Sequence, residues 1–263
     1  MNIMERIYIL RNFILTLPSI VYHGAINIYL KFSHDKKDNL IFNEVDTKNL
    51  ILLVHGFHGH PCNFVPLVNN MITHDTSIKN KWNIIAINLN QFDNYRDNTV
   101  NNEANIVINF LENSAYDNVI LVGLSKGGLV CTTVYSMNIK KIIKVITLSS
   151  PLMGTKSCDL FLPKTLDVLG GNNDNIRHDL NYLSSTSLTT LNTLVSNNLN
   201  CNNIYHVIPK YDHMIYPSSS AKYDFAKKEN VYEYDTYFSS HIGVTFDKKI
   251  SIKMIEWIKD VCV

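Results

Sequence analysis

Apolar residues recur every three or four places at the start of the chain: Ile3, Ile7, Leu10, Ile14, Leu17 and Val21, with Met4, Phe13 and Ile20 widening the same stripe. This is the period of an amphipathic helix. Pro18 lies inside the run and, having no N–H, is expected to end or kink it. Two readings of the stripe stay open. It packs on the body of the protein, or residues 1–30 make a peripheral contact in a membrane interface; a polar face that is not strongly basic favours the first. Residues 1–48 form this helix and a lead-in segment.

From Asn49 the period changes. Apolar runs of strand length at residues 50–54, 82–88, 119–123, 144–148, 204–208 and 231–234 alternate with helical patterns at 101–112, 128–137 and 250–260. Most runs are rich in Ile and Val, as strands buried on both faces must be. The alternation predicts an α/β architecture, a mostly parallel sheet flanked by crossover helices. Residues 156–203 break the rhythm with Leu-rich helical turns, Gly170-Gly171 and Asn-rich breakers. They read as a helical cap or lid inserted between two parts of one core, 49–155 and 204–263.

Composition narrows the functional classes. Twenty-four Lys and Arg against 23 Asp and Glu leave a formal charge of +1, so there is no basic field for nucleic acid. The longest apolar candidate, residues 7–30, is broken by Arg11, Asn12, Pro18, His23 and Asn27, which argues against a transmembrane helix. Five cysteines, Cys62, Cys131, Cys158, Cys201 and Cys262, include no C-x-x-C pair, so neither a disulfide framework nor a zinc site is expected. No Asn is followed by the x-Ser/Thr acceptor pattern, and Glu5, Arg6 and Arg11 interrupt any signal-peptide pattern. The expected compartment is reducing and intracellular, in the cytoplasm. Oligomeric state has no signature here.

The chemistry concentrates at three places. Asn118 to Val122 reads as a buried strand, Gly123-Leu124-Ser125-Lys126-Gly127 as a G-x-S-x-G turn, and Gly128 onward as a helix. In such a turn the serine adopts a strained backbone conformation, and only glycines two places away let the neighbouring chains pass. Upstream, the strand at 50–54 runs into His55-Gly56-Phe57-His58-Gly59-His60-Pro61. A glycine-rich loop after a strand aims backbone amides at a developing oxyanion, and the Phe57 and Lys126 N–H groups are the candidate donors. His55, His58 and His60 lack carboxylate or Cys partners at ligand spacing, so no metal is expected, and His55 reads as a loop-holding hydrogen-bonder. No organic cofactor is implied.

A serine nucleophile needs a base, and the base needs an acid to fix its tautomer. After a nucleophile elbow the chain order is Ser, acid, His. Asp212 follows the strand at 204–208 and His241 follows the strand at 231–234. Asp235 and Asp159 are weaker as the acid, lacking the same strand-end context. His213 adjoins the acid too closely in sequence, and His206 falls within a strand. The candidate catalytic set is therefore Ser125, Asp212 and His241.

These residues resemble the α/β-hydrolase fold and, more narrowly, its lipase-like serine esterases. The run His55-Gly56-Phe57-His58-Gly59 with the trailing Phe64 is similar to that family's oxyanion loop, and Gly123 to Gly128 to its nucleophile elbow. Val145 to Gly154, with its Ser150-Pro151 step, resembles the strand after the elbow. Asp212 to Pro217 is similar to the acid loop, and His241-Ile242-Gly243 to the base loop. Where many relatives carry His and Met around the serine, this chain carries Leu124 and Lys126, expected to make one side of the site's mouth more polar. The resemblance implies hydrolysis of a carboxylic, lipid-type or small-molecule ester through an acyl-enzyme. Thioester hydrolysis or acyl transfer would use the same residues, and a non-catalytic binding protein on the same scaffold is the rival from another class. Leu160, Phe161, Leu162, Leu166, Val168 and Leu169 either line an apolar lid or seal the insertion onto the sheet.

Overall fold

The runs of Ile, Leu and Val after Asn49 become the middle of a seven-stranded sheet because both of its faces are covered. The computed structural model describes residues 1–33, 38–89, 99–158, 178–197, 199–234 and 241–260. Its strands are β1 (Leu40–Asn43), β2 (Asn49–Val54), β3 (Asn83–Ile87), β4 (Asn118–Leu124), β5 (Ile142–Leu148), β6 (Ile204–Pro209) and β7 (Val231–Tyr234). They lie in the order β1-β3-β2-β4-β5-β6-β7. All neighbours are parallel except β1, which pairs antiparallel with β3 at the edge.

Alternate residues feed opposite layers. Leu50, Leu52 and Val54 of β2 pack with Val107 and Leu111 of α4 (Val100–Glu112) and Leu129 and Val134 of α5 (Lys126–Ser136). Ile51 and Leu53 pack instead with Leu67 and Met71 of α2 (Val65–His74) and Met254 and Trp257 of α7 (Lys248–Lys259). A short α3 (Ser77–Lys81) leads into β3. Within the predicted insertion, α6 (Ser185–Ser196) packs on α5, and the Thr133 and Thr190 hydroxyls share a 3.0 Å hydrogen bond. The six apolar insertion residues between 160 and 169, with Asp159 and Asp235, fall outside the described residues.

The first helix departs from expectation twice. α1 runs from Ile3 to Ser33 and continues past Pro18, which sits on the exposed side and has no N–H to give the Ile14 carbonyl. The stripe expected to pack is the outward one: Ile3, Ile7, Leu10, Ile14, Leu17 and Val21 are all exposed, Ile3 to 75%. The buried face is the polar one, with Asn12, Thr16, Ser19 and Asn27 beside Ile9. This inversion has a local cause. α1 crosses the loops at the carboxyl ends of the strands, and those loops present polar partners. Lys156 pairs with Glu5 at 2.7 Å, Thr16 Oγ1 and His213 Nδ1 share a hydrogen bond of 3.2 Å, and His23 stacks on Phe246 at 4.2 Å. Residues Ile3–Leu30 are also long and apolar enough, by length and composition, to cross a membrane.

Packing leaves no room for side chains where β4 turns into α5. A Cβ on Gly127 would stand 2.2 Å from the Val54 carbonyl oxygen, and one on Gly123 2.4 Å from the Gly127 oxygen. Both obstacles are backbone. Gly127→Ala is therefore expected to lower stability by roughly 1–3 kcal/mol, read from denaturant unfolding, because the start of α5 must move off the end of β2 to admit the methyl group.

Candidate active site

Ser125 sits between β4 and α5 with φ 56° and ψ −126°, a conformation L-residues avoid. Its amide donates to the Leu148 carbonyl at 2.8 Å, and the Gly128 amide donates to the Ser125 carbonyl at 2.9 Å. Backbone on both sides thus holds the turn, and the hydroxyl projects above the sheet.

The three residues singled out in sequence meet there. Ser125 Oγ lies 2.7 Å from His241 Nε2, and His241 Nδ1 lies 2.8 Å from Asp212 Oδ2. The other oxygen, Asp212 Oδ1, accepts from the Met214 amide at 2.8 Å. Burial alone would raise the Asp212 carboxyl, but the facing His241, with His213 and the Met214 amide, holds it below its ordinary value. An ionised carboxylate only accepts, so Nδ1 of His241 carries the proton and Nε2 faces the serine hydroxyl as an acceptor.

The oxyanion-loop candidate passes close to this serine. A Cβ on Gly56 would stand 2.8 Å from Ser125 Cβ, so the backbone approach there requires glycine. His55 holds the loop as expected. Its Nε2 accepts from the Leu89 amide at 3.1 Å, leaving the proton on Nδ1, which donates to the Gly56 carbonyl at 3.0 Å. Phe57 lines the cavities on either side of Ser125, and the Lys126 amide opens α5 immediately after it.

The Lys126 side chain corrects one expectation. It does not make the mouth more polar, because it is 1% exposed and its ammonium reaches Glu103 Oε1 of α4 at 2.7 Å. Buried there, its charge is neutralised by the carboxylate of α4. Burial pushes the Glu103 carboxyl up to about 7 against the pull of Lys126. Of the rejected histidines, His206 lies within β6, its Nδ1 2.9 Å from the Thr147 hydroxyl, while His213 faces Thr16 of α1.

Two cavities meet at Ser125, Phe57, His241 and Ile242. One, of about 230 Å³, is mostly apolar, walled by Ile20, Pro151, Cys158, Leu180 and Ile215. The other, of about 350 Å³, lies between Gly24, Asn27 and Ile28 of α1 and the loop carrying His58, His60 and Asn63. A larger cleft of about 660 Å³ runs along β3 and α4 and touches none of these residues. Sequence reasoning missed the α1 contribution; its signal was the second stripe, Asn12, Thr16, Ser19, His23 and Asn27, at helical spacing.

A family model described as "Putative serine esterase (DUF676)" matches residues 44–162, which hold the oxyanion-loop candidate, the elbow and the strand after it. The chain has the α/β-hydrolase fold, and its residues 44–162 are similar to a serine esterase domain. Among solved structures, a lipase-esterase related protein from Clostridium acetobutylicum ATCC 824 is 18% identical with a TM-score of 0.59, covering 83% of this chain and 98% of its own. A monoacylglycerol lipase from Paleococcus ferrophilus is 15% identical with a TM-score of 0.54, covering 84% and 98%. A bacterial membrane phospholipase A is 12% identical with a TM-score of 0.54, covering 95% and 94%. Comparison with curated proteins finds no match.

His213 supplies a pH test. Burial pushes it from 6.5 down to about 4, so the folded protein keeps it neutral where the unfolded chain is protonated. Folding then releases a proton, and stability falls as pH drops from 6.5 towards 4, by up to about 3 kcal/mol from this residue. Denaturant unfolding at pH 7 and pH 5 is expected to show a smaller acid loss in His213→Phe than in the wild type.

Proposed function

We propose that this esterase cleaves lipid-type carboxylic esters through an acyl-enzyme formed on Ser125. Ser125 Oγ attacks the ester carbonyl carbon as His241 Nε2 takes the hydroxyl proton, and Asp212 keeps the imidazole in the required tautomer. The new oxyanion is stabilised by the Phe57 and Lys126 backbone amides. Collapse breaks the bond to the alcohol oxygen, which leaves with the proton from His241. Water then attacks the acyl carbon, again giving a proton to His241, and the acid departs as Ser125 recovers its proton. The observation that carries this reading is the continuous chain of contacts, 2.7 Å from Ser125 to His241 and 2.8 Å from His241 to Asp212, on a strained elbow. A lipid acyl chain is supported by the apolar walls of the 230 Å³ cavity.

The same reading puts the enzyme on a membrane surface through α1. A row of exposed Ile, Leu, Met and Val along one face of a long helix is poorly suited to water and well suited to the headgroup–acyl boundary. Contacts from Glu5 to His23 fasten the opposite face to the domain, so α1 lies in the plane of the interface and does not cross it. The solved neighbour described as a membrane phospholipase A accords with a lipid ester met at such a surface.

Chromogenic acyl esters of increasing chain length test the chemistry. Ser125→Ala is expected to lose three or more orders of magnitude in kcat, and Asp212→Asn to lose a comparable factor while still binding ester. Full activity in Ser125→Ala contradicts the scheme. Flotation with phosphatidylcholine vesicles tests the surface: the wild type is expected to float, whereas Ile14→Asp with Val21→Asp stays in the dense fraction and still cleaves soluble esters.

A further inference from the structure

α1 does more than cover the site, because its Gly24, Asn27 and Ile28 line the 350 Å³ chamber beside Ser125. Asn27 is 9% exposed, lines this chamber, and neither its Nδ2 nor its Oδ1 has a hydrogen-bond partner among the described residues. Burying an unpaired amide is costly, and one that borders a chamber can be completed by a ligand held there. Gly24, one turn earlier, also lines the chamber. A Cβ there would meet nothing within 4 Å. Packing therefore does not require glycine in this helix interior, where it weakens the helix, and the absent side chain leaves the chamber open.

The two cavities differ in chemistry. The smaller is mostly apolar and suits an acyl chain, while the larger adds the Asn27 amide, His58, His60 and Asn63. Among the described residues the larger chamber is lined by amide, imidazole and hydroxyl groups and by no Lys, Arg, Asp or Glu, so its described walls offer a ligand hydrogen bonds. An amide with a free donor and a free acceptor matches a neutral hydroxyl, which also offers both.

We propose that the chamber between α1 and the 55–63 loop holds the alcohol part of the ester, and that Asn27 selects neutral alcohols bearing a further free hydroxyl, such as glycerol. The assignment rests on Ser125 as nucleophile, since the chamber shares Ser125 and His241 with the acyl cavity. The alcohol leaves from this chamber with the proton from His241. Asn27 binds the departing group and takes no part in proton transfer.

The experiment compares kcat/KM for a monoacylglycerol and the methyl ester of the same acid, dispersed in the same detergent, using the full chain. The wild type is expected to prefer the glycerol ester. Asn27→Leu should lower the glycerol-to-methyl ratio about tenfold, the worth of one hydrogen bond. Gly24→Leu should lower it too by filling the chamber, and because this change strengthens the helix it serves where Asn27→Leu does not fold. Asn12→Leu is the control for helix docking. Asn12 is equally unpartnered among the described residues but does not line the chamber, so its ratio should match the wild type. An unchanged ratio in Asn27→Leu or Gly24→Leu, or an equal fall in Asn12→Leu, overturns the assignment while leaving the esterase reading intact. Absence of turnover on both esters by the folded wild type overturns the nucleophile reading and this inference with it.

Discussion

The structure turns on the contact between the start of α5 and the backbone of β2 and β4. Gly127 lies so near the Val54 carbonyl that no side chain fits, and Gly123 is equally close to the Gly127 backbone. That proximity makes the turn at Ser125 tight enough to drive φ to 56°. Two amide bonds, to Leu148 and from Gly128, hold a conformation the residue would not otherwise keep. Because the turn sits at the carboxyl edge of the central strands, loops from β2 and β6 reach it over short distances. Asp212 and Gly56 come from those two loops, and His241 arrives after β7.

Polarity around the turn is handled by pairing at successive depths. Beneath the turn, Lys126 and Glu103 neutralise one another with almost no solvent contact. At the turn, Asp212 is buried yet accepts from both His241 and the Met214 amide. Above it, the polar loops are covered by a helix whose inward face carries Asn, Thr, Ser and His. An apolar helix face there would have stranded the loops' hydrogen-bonding groups, so the helix turns its polar side in and its Ile and Leu side out.

What could be read from sequence divides along the same line. Strands β2 to β6 were legible because burial on both faces imposes runs rich in Ile, Leu and Val, and β7 was legible at 231–234 as well. Ser125, Asp212 and His241 were legible because each follows a strand end. The edge strand β1 was not, since four half-buried residues, Leu40–Asn43, carry too short a pattern. Periodicity located α1 but pointed to the wrong face, because a hydrophobic stripe reveals its own angle and not whether protein or lipid will cover it. The course of Lys126 was hidden as well. Its partner Glu103 lies 23 residues earlier on another helix, a pairing that only the folded packing of α4 on α5 creates.

The central claim is that a single strained serine is the reactive group of this fold. Peptide mapping by mass spectrometry after treatment with a fluorophosphonate tests it most directly, because the reagent requires a nucleophile already activated by its base. One adduct per chain, on the peptide containing Ser125, is the predicted result. An adduct confined to another residue, or none on protein shown to be folded, would contradict the account.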